Sequence, residues 1–309
     1  MNQPHISVLK EEVLSLFKEK ELKYFIDGTL GAGGHAEAIL LQHPELEIFF
    51  GIDQDLDALK IAKMRLKQWE NRIQYLHDNF DIAIPSLLKK EVRFDGILLD
   101  LGVSSMQLDR PERGFSFMRN GPLDMRMNNE ASLTALEVVN TWSFNDLCRI
   151  FREYGEEKQW RKAAFAIVEA RKEKEITTTH ELVEVLTPVL RKKRPNEINP
   201  LTLIFQGLRI CVNRELEVIE KTLPLCVDLL NPGGRLAVIT FHSLEDRIVK
   251  NHFKYFSSDK MDTSGIAGVF QDKKPIAEIV TRKPICASKE EIDVNVRSRS
   301  AKLRCIQKL

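Results

Sequence analysis

Short apolar segments that end in an acidic residue constrain the fold of this chain more than any other feature. Tyr24–Asp27, Ile48–Asp53 and Gly96–Asp100 are such segments, and helical patterns follow the first two. Continuous apolar strands that alternate with helices are typical of a parallel sheet covered by helices on both faces. The sequence therefore predicts an α/β fold with a doubly wound parallel sheet.

A long interval interrupts this alternation. Ile73–His77 and Arg235–Phe241 extend the predicted sheet, but no strand pattern occurs between Asp100 and Arg235. Connections in α/β units usually have only about 2–6 residues outside the helix itself. The interval instead carries helix signals, such as the apolar stripe at helical spacing within Trp160–Val168. We therefore predict a discontinuous sheet domain of residues 1–105 and 205–309, with a mostly helical inserted domain of residues 106–204.

The composition narrows the class of protein. The 46 Lys and Arg residues nearly balance the 45 Asp and Glu residues, so the net charge is only +1. A polyanionic partner would have to be held by local basic clusters, for which Arg191–Arg194 in the inserted segment and the tail Arg297–Leu309 are candidates.

The cysteines and the apolar runs indicate the compartment. The five cysteines are widely spaced and form no C-x-x-C motif, which argues against a disulfide scaffold or a structural zinc site. No cluster has recognisable metal-ligand spacing, and no apolar run approaches the roughly 18 residues of a membrane span. We expect a cytoplasmic protein with no metal and no membrane partner, and the sequence assigns no oligomeric state.

The most informative motif is the glycine-rich segment Asp27–His35, which links a predicted strand to a predicted helix. Glycines allow a backbone to approach a ligand closely, and a helix N-terminus offers unpaired N–H groups. Asp53 ends the next strand about twenty residues after Gly33, where a carboxylate can accept the hydroxyls of a ribose. The motif thus predicts an adenosine-containing cofactor at the carboxyl edge of the sheet.

The identity of that cofactor stays open at this point. Gly31–Ala36 fits the loose dinucleotide pattern G-x-G-x-x-A, so NAD is one candidate. Asp27 before the loop would face a pyrophosphate badly but suits the amino-acid end of S-adenosylmethionine. A glycine turn that serves only helix–sheet packing is the third interpretation.

The segment after the fourth strand adds polar groups to the same edge. Ligands of open α/β sheets bind outside the carboxyl ends of the strands, so Asp100 is expected to line the crevice. Ser104, Ser105 and Gln107 supply short polar groups at its mouth. Capping of the following segment is an equally good interpretation of the serines.

Several blocks of the chain together resemble one family, the bacterial ribosomal RNA small subunit methyltransferase H family. They occur in family order from near the first residues to the C-terminus. They are Asp27–His35, Asp100–Asp109, Arg113–Arg119, Gly121–Met127, Gln206–Ile210, Asn213–Leu216, Phe241–Arg247 and Ser298–Arg304.

The resemblance implies a Rossmann-like methyltransferase domain with an inserted helical, substrate-recognising domain. It also implies S-adenosylmethionine as the cofactor and methylation of the exocyclic N4 of a cytosine in the decoding region of 16S ribosomal RNA, within the small subunit. The cofactor contacts that it implies are Gly33, Gly34, His35, Asp53, Phe80, Asp100 and Gln107. From the residues alone, Phe80 would be interpreted as a core phenylalanine.

Cytosine N4 is a poor nucleophile because its lone pair is delocalised into the ring, so a hydrogen-bond acceptor on an amino proton would help it to attack. Asp100 is our candidate for this acceptor, or else for a cofactor contact. Asp124 and His242 are weaker candidates. For His242 the reason is that a histidine at the end of a strand is often structural. Three arginines after the fourth strand are candidates for contacts with the RNA backbone: Arg113, Arg119 and Arg126.

Three functions from different classes follow. The first is a cytosine-N4 methyltransferase of ribosomal RNA. The second, a nicotinamide-dependent oxidoreductase, depends on the loose glycine pattern and leaves the blocks around Asp100 and His242 unexplained. The third is a ribosome-assembly factor without catalysis, against which the intact glycine loop, Asp53 and Asp100 count. The first is our prediction.

Overall fold

A computed structural model describes residues 7–192, 194, 198–262 and 270–309 of the chain. By the clustering of its contacts, the chain forms two compact units, a sheet unit of residues 1–102 and 216–309 and a helical unit of residues 103–215. No helix in the described ranges combines the length and the apolar character that a bilayer span requires.

The elements alternate as the sequence predicts. The first part of the sheet unit contains α1 (Lys10–Phe17), β1 (Tyr24–Asp27), α2 (Gly34–Gln42), β2 (Ile48–Asp53), α3 (Leu56–Arg65), β3 (Ile73–His77), α4 (Phe80–Leu88) and β4 (Phe94–Asp100). The helical unit contains α5 (Ser105–Asp109), α6 (Ala135–Thr141), α7 (Phe144–Glu153), α8 (Trp160–Glu173), α9 (Thr179–Leu186) and α10 (Pro200–Asn213). The chain returns through α11 (Glu215–Leu229), β5 (Leu230–Thr240), α12 (Ser243–Ser257), β6 (Lys260–Asp262), β7 (Phe270–Asp272), β8 (Ala277–Ile279), β9 (Ile285–Cys286), α13 (Lys289–Val294) and β10 (Lys302–Lys308).

The main sheet has the order β3-β2-β1-β4-β5-β10-β8, and β9 also pairs with β10. The five strands from β3 to β5 are parallel, whereas β10 is antiparallel to β5 and β8. The order reverses between β1 and β4, which is the switch point of a doubly wound sheet. The predicted fold class is therefore confirmed.

Alternation along the strands divides the core of the sheet unit into two layers. Phe25 and Phe49 point to the face that α1, α2 and α3 cover, whereas Ile26 and Phe50 point to the face that α4, α11 and α12 cover. All four side chains are buried. Because both faces of the central strands are covered, polar side chains of these strands meet solvent at the strand ends, where Asp53 and Asp100 are partly exposed.

The helical unit begins and ends at residues other than the predicted boundaries of the inserted segment. The structure divides the chain after Gly102 and after Glu215, rather than after residues 105 and 204. Helix α10 causes the larger difference, because Ile204, Phe205 and Leu208 are buried in the separate core of the helical unit.

The second half of the C-terminal tail, Lys302–Lys308, is strand β10 of the sheet rather than a free basic segment. Arg304 is buried, and its guanidinium donates to both carboxylate oxygens of Asp246 over 2.7 and 3.1 Å. Lys302 lies 3.4 Å from the same carboxylate, and Lys308 donates to the carbonyl of Val227. The interpretation of this tail as an RNA-binding cluster is therefore wrong for Arg304, because its charge is already neutralised inside the protein.

We expect replacement of Asp246 by alanine to lower the free energy of unfolding at pH 7 by about 3–5 kcal/mol, because it leaves the Arg304 charge buried and unpaired. Burial raises the pKa of Asp246, but pairing with Arg304 and Lys302 outweighs this and lowers it below its ordinary value. The pair therefore stabilises the protein above that ordinary pKa and is lost as the pH falls through the folded-state pKa. Urea unfolding measures the effect.

Asp228→Ala is the matched control, since Asp228 is an exposed carboxylate on α11. It should change the free energy of unfolding by less than about 0.5 kcal/mol. An equally small change for Asp246→Ala would contradict the structural role of the pair.

Candidate active site at the carboxyl edge of the sheet

The glycine-rich loop after β1 has backbone angles and close contacts that leave no room for side chains at several of its glycines. Gly31 and Gly33 have positive φ angles of 54° and 79°, in the left-handed region that favours glycine. A Cβ at Gly28 would lie 2.4 Å from a methyl carbon of Leu99, and one at Gly34 would lie 2.1 Å from the Ser7 hydroxyl. Gly33 precedes α2, so the loop ends at a helix N-terminus as predicted.

Asp53 fixes this loop to the end of β2. Its carboxylate accepts the N–H of Gly31 over 2.7 Å and that of Asp55 over 2.8 Å. Burial raises the pKa of Asp53 to about 6, against the lowering effect of these hydrogen bonds. The side chain is still partly exposed, so it retains acceptor capacity for hydroxyls of a ligand.

Asp27 at the end of β1 is almost completely buried. Its carboxylate accepts the N–H of Thr29 over 3.1 Å. Burial raises the pKa of Asp27 to about 7; the charges of Asp100 and Asp53 add to this, while His35 and the Thr29 N–H oppose it. A carboxyl that titrates near neutrality is a common feature of functional sites.

His35 and Asp100 leave polar atoms without partners. The imidazole is buried and its Nε2 lies 3.6 Å from Asp100 Oδ2. Within the described ranges, neither ring nitrogen of His35 has a hydrogen bond, and Asp100 Oδ1 has none either. A buried polar group without a partner costs about 1–3 kcal/mol, so this arrangement suits a ligand that would supply the missing hydrogen bonds.

The remaining predicted cofactor residues have structural roles in the present geometry. Phe80 begins α4 and is buried in the core on the face of the sheet that α4, α11 and α12 cover. Its Cβ lies near Gly28. Gln107 belongs to the helical unit, where it completes the capping box of α5 by accepting the N–H of Ser104. The capping interpretation of Ser104 is confirmed as well, since its hydroxyl accepts the N–H of Gln107.

Thr29 is a site residue that the sequence interpretation missed. Its hydroxyl accepts the backbone N–H of Asp100 over 2.6 Å and so connects the glycine loop directly to the end of β4. A hydroxyl residue within the glycine loop, between Gly28 and Leu30, is the feature of the sequence that could have indicated this role. Nothing in the spacing of the motif identifies its hydrogen-bond partner.

The described geometry joins a cofactor-type loop to four titratable side chains, and comparison with known proteins shows what kind of protein carries it. The sequence model of the MraW methylase family matches residues 2–309 of this chain. The chain belongs to the MraW methylase family. The predictions of a methyltransferase and of the family that it resembles are thereby confirmed.

Relatives in this family are similar over their full length. A protein of Protochlamydia amoebophila named ribosomal RNA small subunit methyltransferase H is 58% identical over 308 residues, which are 99% of this chain and 98% of that protein. A Clostridium botulinum protein of the same name is 47% identical over 311 residues, 100% of both chains. A solved rRNA methylase of Streptococcus thermophilus shares 10% identity at a TM-score of 0.41, with 99% of each chain covered.

Several other polar residues of the family blocks serve the structure. Arg113 is buried and donates to the carbonyls of Arg126 and Met127, and Arg126 forms a bidentate pair with Asp124. Arg119 donates to the carbonyl of Asp109. The hypothesis that these arginines contact RNA directly is therefore wrong for the buried Arg113, and Asp124 is occupied by its arginine partner.

His242 is the N-cap of α12. Its side chain accepts the N–H of Glu245, whose carboxylate in turn accepts the N–H groups of Phe241 and His242. This reciprocal capping gives His242 the structural role that we had considered as its alternative. Of the predicted basic cluster Arg191–Arg194, Lys193 lies outside the described residues.

The raised pKa of Asp27 predicts a pH-dependent gain from Asp27→Asn. A carboxyl whose folded-state pKa lies above its ordinary value of 3.8 makes the protein lose stability as the pH rises from about 4 to about 7. Asparagine stays neutral and can still accept the Thr29 N–H. The variant should therefore exceed the wild type in free energy of unfolding at pH 8, by at most about 4 kcal/mol, but not at pH 4.

Urea unfolding at the two pH values checks this, with replacement of the exposed Asp228 by asparagine as the matched control. A gain for Asp27→Asn of the same size at both pH values would show that titration of Asp27 is not its cause.

Proposed function

We propose that this protein transfers a methyl group from S-adenosylmethionine to the exocyclic N4 of a cytosine in the decoding region of 16S ribosomal RNA. The observation that carries the proposal is the group of Asp27, His35, Asp53 and Asp100 around the glycine loop. The names of its full-length relatives support the ribosomal RNA of the small subunit as the substrate. Such a substrate implies activity in the cytoplasm.

The charges of this group fit the proposed cofactor better than a dinucleotide. S-adenosylmethionine carries a sulfonium and an ammonium group, and it supplies an electrophilic methyl group when bound. Asp27, Asp53 and Asp100 concentrate negative charge at one edge of the sheet, which favours a cation and repels a pyrophosphate. The NAD alternative is therefore electrostatically unfavourable at this loop.

Each side chain has a proposed role. Asp53 would accept the ribose hydroxyls, and the backbone at Gly33 and Gly34 would contact the amino-acid end. The orphaned atoms of Asp100 and His35 match an ammonium group and a carboxylate, respectively. Phe80 for adenine and Gln107 as a further contact remain proposals that derive from the family resemblance.

As the alternative to that ammonium contact, Asp100 is our candidate for the acceptor that orients the nucleophile. Methyl transfer forms a C–N bond, breaks the S–C bond of the sulfonium and releases one proton from the cytosine amino group. A carboxylate oxygen that accepts a hydrogen bond from that group localises its lone pair, while positioning of the two reactants supplies most of the remaining acceleration. Asp100 Oδ1, which has no hydrogen-bond partner among the described residues, could perform this step.

The target base must reach the sheet edge as an unpaired or extruded nucleotide, as in other enzymes that act on base atoms. The helical unit is inserted directly after the strand that ends in Asp100. We propose that it recognises the RNA, on the assembled small subunit rather than on free RNA.

Methyl transfer from labelled S-adenosylmethionine to small subunits that lack the modification tests the proposal. Nucleoside analysis should show N4-methylated cytosine with the wild type. Asp53→Ala and Asp100→Ala should each reduce the rate about ten- to a hundredfold, since each removes a hydrogen bond to a charged group of about 1.5–3 kcal/mol. The exposed Asp228→Ala should have the wild-type rate. Cofactor binding without any transfer to RNA would instead favour an assembly factor.

The affinity for S-adenosylmethionine should depend on pH. A bound cation favours ionised carboxylates, and the raised pKa values of Asp27 and Asp53, about 7 and about 6, leave both partly protonated at acid pH. Calorimetry should therefore show binding about thirtyfold weaker at pH 5.5 than at pH 8 from the protonation of Asp27 alone, and about a hundredfold weaker when the protonation of Asp53 adds to it. Asp27→Asn should bind more weakly at pH 8 and show a smaller pH dependence. A pH-independent affinity in the wild type would contradict the role of these carboxyls.

A further inference from the structure

Helices α7 and α8 of the helical unit expose aromatic side chains that their core does not use. Phe165 on α8 is 60% exposed and Phe144 on α7 is 38% exposed. Single exposed apolar residues are common on protein surfaces. These two differ because arginine side chains and a third aromatic ring accompany them on the same pair of helices.

The third ring is that of Trp160, and two arginines lie close to it. The guanidinium carbon of Arg161 is 4.7 Å from the ring centroid, and that of Arg152, on α7, is 5.5 Å away. Both charges also act on the Cys148 thiol, whose pKa is raised by burial and lowered in part by these two arginines. The two guanidinium groups therefore share one small region of the surface.

Helical spacing connects this region to the exposed phenylalanines. Phe144, Cys148 and Arg152 are spaced four residues apart on α7, as are Arg161 and Phe165 on α8, so each set lies on one face of its helix. We call Phe144, Arg152, Trp160, Arg161 and Phe165 the α7–α8 patch.

The cations of the patch are available to a ligand. Arg161 has no ion-pair partner among the residues that the structure describes. Arg152 lies 2.7 Å from Glu153, but both side chains are about half exposed, and exposed pairs of this kind contribute only about 0–1 kcal/mol. An anionic partner could therefore engage both guanidinium groups at little cost.

We propose that the α7–α8 patch binds a single-stranded segment of RNA that flanks the methylated nucleotide. This inference rests on the proposed function, because it takes the RNA substrate from it. Unpaired bases stack on aromatic rings and on guanidinium planes, while arginine attracts the phosphates between them. The patch offers both kinds of group within one pair of helices.

Aromatic and arginine side chains are enriched at protein–protein interfaces as well. We choose RNA because the exposed guanidinium groups of Arg152 and Arg161 lie beside an aromatic ring, an arrangement that suits phosphates between stacked bases. A second copy of the chain would bring the same positive charges together, which is unfavourable.

Binding of a fluorescently labelled, unstructured 12-nucleotide RNA and of unmethylated small subunits tests the inference. Phe165→Ala should weaken binding to both probes roughly 5- to 150-fold, the equivalent of about 1–3 kcal/mol for one stacked base. Phe165→Tyr keeps an aromatic face and should restore binding to within about twofold. Arg161→Gln should reduce the slope of log affinity against log salt concentration by about 0.7 for the oligonucleotide, the value for one lost phosphate contact.

Two matched controls separate the patch from general surface effects. Met118→Ala removes a 78% exposed apolar side chain elsewhere in the helical unit. Lys60→Gln removes an exposed charge from α3 of the sheet unit. Both should bind RNA like the wild type, and all variants should keep the wild-type affinity for S-adenosylmethionine.

Three results would overturn the inference. Phe165→Ala and Arg161→Gln with wild-type affinity for both probes would exclude a role in RNA binding. Weaker binding to small subunits alone would assign the patch to a ribosomal protein, and a concentration-dependent dimer that Phe165→Ala dissociates would assign it to a second copy. The proposed function fails separately, if the wild type binds RNA through the patch but transfers no methyl group to small subunits.

Discussion

The parallel pairing of β1 with β2 on one side and β4 on the other is the interaction on which the rest of this structure depends. Parallel strands end at the same edge, so the pairing brings Asp27, Asp53 and Asp100 together from distant parts of the sequence. The hydrogen bonds of Gly31 to Asp53 and of Thr29 to Asp100 then fix the glycine loop between the two neighbouring strands. The glycine loop and the carboxylates at the strand ends therefore form one hydrogen-bonded site.

This site places several carboxylates close together in a buried environment, which is electrostatically unfavourable. Burial, and repulsion from neighbouring carboxylates, oppose the ionised forms of Asp27 and Asp53, and this raises their pKa values towards neutrality. The backbone N–H groups of Thr29, Gly31 and Asp55 relieve only part of this unfavourable effect. A ligand cation would relieve more of it, which explains in physical terms why carboxyls that destabilise the isolated chain suit a sulfonium cofactor.

The helical unit has its own core of apolar residues that contact one another. Its polar family residues mostly hold loops in place: Arg113 and Arg126 bind carbonyls and a carboxylate rather than reaching solvent. The groups left for a substrate are thus fewer than the count of arginines suggests, and they include the exposed side chains of α7 and α8.

The sequence was a good guide wherever the determining interactions are local. The alternation of apolar strands and helices, the glycine loop, and the cap at Ser104 all depend on neighbours within a few residues, and the structure contains each of them. The sequence could not assign α10 to the helical unit, since its apolar face would fit either core. Nor could it identify Thr29 as the partner of Asp100, because that contact joins the glycine loop to the end of a strand 71 residues away.

What the sequence by itself determined is the class of fold, the family and the loop that would hold the cofactor. The tertiary structure alone decided which charges are available. Arg304 and Asp246 neutralise each other in the interior, whereas His35 and Asp100 keep unpaired polar atoms at the sheet edge. The physical reason is that burial and pairing depend on which residues meet across the chain, and these set whether a charge stabilises the fold or remains for a ligand.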